Sequence, residues 1–284
     1  MSEAQKLSMV LKDRISTRDE IVPNGVKRIK HASPFYRTKV WGVDEFGEKL
    51  FETENQVVLG GSLFTLKKVW GVESPLNIAT LNDIMNVATN GDPVKDLKNT
   101  FVCLFGVGYG GAGDTAKSVK DVNYYEREVF DMIPLRVPEG SLTEEEKLQY
   151  FFKKPLEEGR TGYYLKTFES TPEIKVLWKD GAEGEDGTIV EEGVHNTQRK
   201  EPIETFVEMH LKITKKDIRE FFEMNGNIEE ARFNSIGLFT GVLSDLGGGD
   251  YDYKEVTLFS KLNIPNEYLT LKKDMDIYYR VYSS

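Results

Sequence analysis

The pattern of apolar and polar residues predicts a helix, an arm and then strands in the first part of the chain. Residues 3–16 carry an apolar stripe at helical spacing, formed by Leu7, Val10, Leu11 and Ile15. Residues 17–34 have no clear period and contain the turn-forming sequence Pro-Asn-Gly, which indicates an arm or a linker. A period of two then predicts strands in FYRTKVWGV and LFETENQVVL, joined by a turn at residues 44–49.

Helices and one buried strand are predicted next. The run SLFTLKKVWGV and residues 78–88, IATLNDIMNVA, each place apolar residues on one side of a helix. FVCLFGVGYG is a short apolar run rich in Phe and Val, which favours a buried strand. TEEEKLQYFF starts with Thr143 as a helix N-cap, followed by glutamates at the positive end of the helix dipole.

Strands dominate the second half of the chain. GYYLKTFES and EIKVLWKDG lie on either side of a turn at Thr171 and Pro172, and IETFVEMHLKI alternates apolar and polar residues from Ile203 to Ile213. KKDIREFFEMNG is predicted to be a helix that Gly226 ends. The last predicted strands are RFNSIGLFTGVL, YKEVTLFSKLNI and MDIYYRVYS.

Many short strands, few helices and no regular βαβ alternation predict a β-rich α+β fold. We expect an antiparallel β-sandwich-like body with short helices and an extended N-terminal arm. The predicted organisation is a helix and basic arm in residues 1–34, followed by one structural domain in residues 35–284. Residues 180–194 hold six acidic residues, four glycines and no basic residue, which predicts an exposed acidic loop in that domain.

Composition narrows the class of protein. The chain has 284 residues, of which 39% are hydrophobic, so it can bury a sizeable core. No apolar run approaches the roughly 20 residues that span a bilayer, and we expect a soluble protein without a secretory signal. Cys103 is the single cysteine, which excludes an internal disulfide framework and favours a reducing compartment.

Charge is divided unevenly along the chain. Residues 1–40 hold nine basic and four acidic side chains, a balance of +5, so the other 244 residues carry −15 of the total of −10. An acidic body repels nucleic acid and anionic lipid, which leaves neither as the natural partner of most of the surface. The basic leader fits contact with nucleic acid, contact with the acidic body of a neighbouring copy, or ordinary solvation.

Residues 106–111 match GxGxxG, the glycine pattern that holds a dinucleotide pyrophosphate at a helix N-terminus. The context differs from that of a dinucleotide fold, because the following AGDTAKSVKDV is a poor helix and no second hydrophobic strand ends at the acids Glu126 and Glu128. We therefore favour a glycine segment that lets another backbone approach closely. A dinucleotide-binding enzyme is the alternative from a different class.

Other candidate chemistry is weaker. No phosphate loop, HExxH or GxSxG motif occurs, and the spacing of His31, His195 and His210 supports no metal site. His210 alternates with Met209 and is expected to face solvent or a neighbour. Nothing basic flanks Cys103, so a buried, inert thiol is expected there. We predict no catalytic, cofactor-binding or metal-binding residues.

Several stretches resemble virion structural proteins of large tailed bacteriophages. They are FNSIGLFTGVL (Phe233 to Leu243), the chain from YKEVTLFSKLNI to its last residue, ETENQVVLGGSLFTLKKVWGV and TFVCLFGVGYGGAGDT. The resemblance implies a virion component made in the host bacterial cytoplasm, of the neck (head-to-tail connector) type, with a baseplate or other tail component as the alternative. It also implies a ring of copies of itself, portal, connector or tail proteins as neighbours, passing contact with viral DNA, and no membrane.

Overall fold

The structure is a computed structural model that describes residues 18–21, 27–30, 36–74, 76–88, 99–113, 118–178, 188–189, 202–248, 250–268 and 274–283. The helix predicted at residues 3–16 lies outside these residues. The arm predicted at residues 17–34 is described in part. It contains two short antiparallel strands, in which Arg18 pairs with Lys30 and Ile21 with Lys27. The arm predicted from residues 17–34 thus contains a β-hairpin, which the sequence pattern did not indicate.

Most of the described chain is extended. Its strands are β1 (Arg18–Ile21), β2 (Lys27–Lys30), β3 (Tyr36–Asp44), β4 (Lys49–Thr53), β5 (Gln56–Val57), β6 (Phe101–Gly108), β7 (Met132–Ile133), β8 (Tyr150–Pro155), β9 (Thr161–Thr167), β10 (Glu173–Trp178), β11 (Thr188–Ile189), β12 (Pro202–Ile213), β13 (Arg232–Gly247), β14 (Asp250–Tyr268) and β15 (Met275–Ser283). Its helices are α1 (Leu59–Trp70), α2 (Leu81–Met85), α3 (Glu144–Lys147) and α4 (Arg219–Met224), with 3₁₀ turns at Glu157–Gly159 and Ile228–Glu230.

Two antiparallel sheets form the body, which confirms the predicted β-rich α+β fold. The smaller sheet has the strand order β11-β10-β12-β15-β3-β4. The larger has the order β5-β14-β13-β6-β9-β8, with β7 paired to β6. The predicted turn at Thr171 and Pro172 carries the chain from one sheet to the other, because β9 belongs to the larger sheet and β10 to the smaller.

The main core lies between the sheets. Alternate residues of β12 and β15 point inward, as the period of two predicts: Met209, Leu211, Ile213, Met275, Ile277 and Tyr279. They share one buried cluster with residues of the larger sheet that include Phe105, Val107, Phe233, Ile236 and Leu238. This burial of apolar area is the main force that holds the sheets together.

A second core covers the opposite face of the larger sheet. Leu104 of β6, Phe239 of β13 and Leu258 of β14 pack there with Val58, at the start of α1, and Leu81 of α2. Both faces of β6 and β13 are largely buried, and β6 is accordingly a continuous apolar run, as is typical of a strand with two buried faces. The helix α1 confirms the prediction from SLFTLKKVWGV, while α2 covers only part of residues 78–88.

Three predicted elements differ in extent. The helix at TEEEKLQYFF begins at the Thr143 capping box but stops at Lys147, because the aromatic residues after it are buried in strand β8. The helix at KKDIREFFEMNG begins only at Arg219, because Ile218 has a positive φ of 60°; Gly226, with φ of 70°, follows its end as predicted. The acidic loop at 180–194 lies outside the described residues, except that Thr188 and Ile189 pair with β10.

Candidate functional site

The glycine segment at residues 106–111 is packed tightly against neighbouring backbone. A Cβ atom added to Gly108 would overlap the carbonyl oxygen of Phe130, and one on Gly111 would lie 2.7 Å from that of Asn234. Neither leaves room for a side chain. The interpretation that these glycines let another backbone approach closely is confirmed.

Side chains of β13 and β14 bind the polar groups of this segment. Asn234 Oδ1 accepts a hydrogen bond from the Gly111 amide at 2.6 Å, and its Nδ2 donates to the Tyr109 carbonyl at 2.8 Å. Asn263 Nδ2 donates to the Lys120 carbonyl at 2.7 Å. The neighbours of β6 are antiparallel, and the described residues 109–113 and 118–137 contain no helix. In these parts of the chain, the parallel βαβ setting of a dinucleotide loop is absent.

A buried ion pair joins β9 to the segment that follows β12. Lys166 Nζ lies 2.9 Å from Asp217 Oδ2 and also donates to the Lys212 carbonyl at 2.9 Å. Asp217 accepts two further hydrogen bonds, from the Tyr150 hydroxyl and from the Thr214 amide, both at 2.7 Å. The Lys166 and Asp217 side chains are 4% and 0% exposed. Buried charges of this kind persist only when their partners are in place.

Arg136 makes a second set of ion pairs beside the first. It contacts Glu146 at 2.5 Å and Glu220 at 2.8 Å, and its guanidinium lies over the Tyr150 ring. Burial alone would lower the pKa of Arg136, but its hydrogen bonds to Glu220 and Glu146 hold that pKa above the ordinary value. Burial raises the pKa of the Tyr150 hydroxyl, and the nearby Asp217 charge raises it further. These groups bind one another and link α3, β8 and α4 rigidly.

Lys261 of β14 is a lysine whose side chain is buried in the larger sheet. Its side chain is fully buried, 3.6 Å from Glu126 Oε2 and over the ring of Phe130. Burial lowers the pKa of Lys261 to about 8, although the Glu126 carboxylate partly opposes the shift. Desolvation therefore outweighs the ion pair at this position.

Cys103 and the histidines give no reactive cluster. Cys103 is half-buried in β6, and burial raises the pKa of its thiol to about 11, which fits the predicted inert thiol. His210 lies on the outer face of the smaller sheet, with Nε2 2.7 Å from Asp276 Oδ1 and its ring stacked on Tyr278. His31 and His195 lie outside the described residues. Among those described, no three His, Cys, Asp or Glu side chains are grouped as metal ligands.

An apolar groove opens at one end of the sandwich, and the sequence analysis did not anticipate it. It has a volume of about 260 Å³ and is lined by Phe64, Thr65, Lys68, Val69, Val102, Pro172, Val207, Met209, Phe259 and Val281. Its lining comes from both sheets and from α1, and Phe64 of α1 packs edge-on against Phe259 of β14. Large apolar side chains lie exposed beside the groove: Trp70 is 71% exposed and Phe101 56%. The helical spacing of SLFTLKKVWGV placed Leu63, Leu66 and Trp70 on one side of α1, whereas the α1 residues that line the groove are Phe64, Thr65, Lys68 and Val69. Helical periodicity therefore did not indicate the groove.

Comparison with known proteins adds no relative. No family model, curated protein or solved structure matches the chain. Among the described residues, none of the helices has the length and apolar character needed to cross a membrane. The described residues thus include a closely packed glycine segment, three buried charged groups around Lys166, Arg136 and Lys261, and the apolar groove.

Proposed function

We propose that this chain is a non-enzymatic virion structural protein of a tailed bacteriophage, which assembles with copies of itself into a ring in the neck (head-to-tail connector). One observation carries the proposal. The stretches that resemble such virion proteins include β6, β13 and β14, which form the middle of the larger sheet. The stretches that carry the resemblance thus lie in the central strands of the fold, as expected of proteins whose function is assembly and not catalysis.

The described charges support the same proposal. Lys166, Arg136 and their carboxylate partners are bound to one another inside the body, where they stiffen it. The groove, in contrast, presents apolar surface at one end of the sandwich. A cyclic ring uses a different surface on each side of every subunit, so it needs two unlike complementary regions. The groove is one such region, and the arm is the other.

The charge distribution along the sequence adds a second complementarity. The basic residues 1–40 suit contact with the acidic remainder of an adjacent subunit. An acidic ring lumen would let viral DNA pass without sticking, since like charges repel. Portal, connector or tail proteins would contact the two faces of the ring. In this proposal the protein is made in the host bacterial cytoplasm, ends in the virion and has no membrane partner.

Removal of the first 34 residues tests the proposal. We expect the truncated chain to keep the thermal unfolding of the full chain, because the two sheets begin at Tyr36. Light scattering and negative-stain microscopy should show ordered oligomers for the full chain and mainly monomers for the truncated one. Equal assembly of both chains would refute the role of the arm, and a full chain that stays monomeric at high concentration would refute the ring.

The same preparations separate the alternatives. A baseplate or other tail component would be found at the far end of the tail when virions are labelled with an antibody against the chain. A dinucleotide-binding enzyme would be stabilised by NAD or FAD, by about 2.7 kcal/mol at one hundred times the dissociation constant. An absence of any thermal shift at millimolar cofactor would exclude that enzyme.

A further inference from the structure

The apolar groove is open to solvent along the end of helix α1. Val69, in the last turn of α1, lines it and is 66% exposed. On the opposite wall, Val207 and Val281 are paired across strands β12 and β15 and are only partly buried, at the end of the main core. Contiguous exposed apolar surface of this kind marks an interaction site in a protein that is otherwise well packed.

The sequence of the N-terminal segment, which lies outside the described residues, predicts a matching apolar surface. Its sequence predicts a helix over residues 3–16 with an apolar stripe of Leu7, Val10, Leu11 and Ile15. A helix this short is marginal in water by itself and needs an apolar surface to pack against. An amphipathic helix that places its apolar residues in a groove is a recurrent mode of recognition.

The arm joins the body beside the groove. Strand β3 starts at Tyr36, and two residues later Thr38 pairs with Val281, which lines the groove. The hairpin pairs Arg18 with Lys30, so it returns the chain close to its starting point. Only residues 31–35 lie between the hairpin and the body, so Lys30 and Tyr36 are at most about 22 Å apart. The predicted helix is therefore joined to the body by a short connection, which reaches the body two residues before Thr38, the partner of the groove-lining Val281.

We propose that the apolar stripe of residues 3–16 in one copy of the chain docks into the apolar groove of the next copy. This inference rests on the proposed ring and names the two surfaces that join its subunits. In a head-to-tail ring the extension of each subunit meets a receptor on its neighbour, so every groove is filled once and the ring closes. The contact is mainly apolar, and salt therefore weakens it little.

Disulfide trapping tests the contact directly. In a Cys103→Ser background, Leu11→Cys is combined with Val69→Cys, and the assembled full chain is oxidised mildly. We expect dimers and higher covalent oligomers on a non-reducing gel. A cross-linked monomer of altered mobility would mean that the segment occupies the groove of its own chain, and the inference would be wrong. The matched control combines Leu11→Cys with Leu148→Cys, because Leu148 is exposed near a helix end but does not line the groove. If the Leu11–Val69 cysteine pair cross-links no more than this control, the inference is also wrong.

A charge in the groove provides the second measurement. Val69→Lys should leave folding intact, since the residue is exposed and a cation suits a helix C-terminus. We expect the concentration needed for ring assembly, measured by sedimentation, to rise at least tenfold, while Leu148→Lys leaves it unchanged. If Val69→Lys assembles normally but removal of residues 1–34 abolishes assembly, the groove inference is wrong and the proposed ring stands. If neither change affects assembly, the groove inference and the role of the arm are both wrong, and a full chain that stays monomeric would refute the ring itself.

Discussion

Replacement of Asp217 by alanine should destabilise the body more than any surface change. The carboxylate of Asp217 holds three donors at once: Lys166 Nζ, the Tyr150 hydroxyl and the Thr214 amide. After Asp217→Ala, the buried ammonium of Lys166 keeps only the Lys212 carbonyl as a hydrogen-bond partner. The large effect therefore comes from the uncompensated charge that remains in the core, more than from the lost attraction.

The expected loss in the free energy of unfolding follows from the burial of both Lys166 and Asp217. Removal of one member of a buried ion pair costs about 3–5 kcal/mol, whereas an exposed pair contributes less than about 1 kcal/mol. At about 2–4 °C per kcal/mol for a domain of this size, Asp217→Ala should lower the melting temperature by about 10 °C. The assay is urea and thermal unfolding followed by circular dichroism, at one fixed protein concentration because oligomers shift apparent stability.

Two further variants separate the cost of an unpaired buried charge from the loss of an ordinary ion pair. Glu223→Gln breaks the exposed Arg219–Glu223 pair, whose side chains are 41% and 45% exposed, and should change stability by less than about 0.5 kcal/mol. The double variant Lys166→Met with Asp217→Leu removes both charges and should recover most of the loss, since buried pairs replaced by apolar residues are often neutral. A cost below about 1 kcal/mol for Asp217→Ala, or no recovery in the double variant, would show that this reasoning is wrong.

Two other variants test the packing of the larger sheet. Gly111→Ala should lower the free energy of unfolding, measured in urea, by about 1–3 kcal/mol, because the new Cβ would contact the backbone of Asn234. Gly140→Ala is the control and should be nearly neutral, because there is open space around Gly140. Equal effects of the two variants would contradict the close packing at Gly111. Lys261 has a folded pKa lowered to about 8, so between pH 8 and 9.5 the unfolded chain binds more protons and stability should rise with pH. The expected gain is about 1.5 kcal/mol from that linkage. Unfolding measured across this range should show the gain in the wild type and not in Lys261→Met, and parallel curves would exclude the lysine as its source.

Local patterns predicted much of the fold, because burial and backbone geometry act over a few residues. The alternation from Ile203 to Ile213 assigned the inward face of β12, and the apolar run FVCLFGVGYG predicted a buried strand, which β6 is from Leu104 to Gly108. Thr143 and Gly226 marked helix ends, because their hydrogen-bonding and backbone preferences are intrinsic. The GxGxxG pattern was interpreted from its poor context as a close-approach segment, and the packing of Gly111 agrees.

Tertiary structure alone decided the rest. The helix at TEEEKLQYFF ends early because Tyr150, Phe151 and Phe152 bury their rings as part of the larger sheet, and long-range pairing with β9 outweighs local helix preference. Lys166 and Asp217 are 51 positions apart, so no spacing in the sequence indicates that they meet. The groove is lined by residues of both sheets and of α1, which lie far apart in the sequence, and its apolar residues resemble core residues in the sequence. A sequence thus records which residues are apolar, whereas the chain topology determines which of them are buried in the core and which stay exposed in the groove.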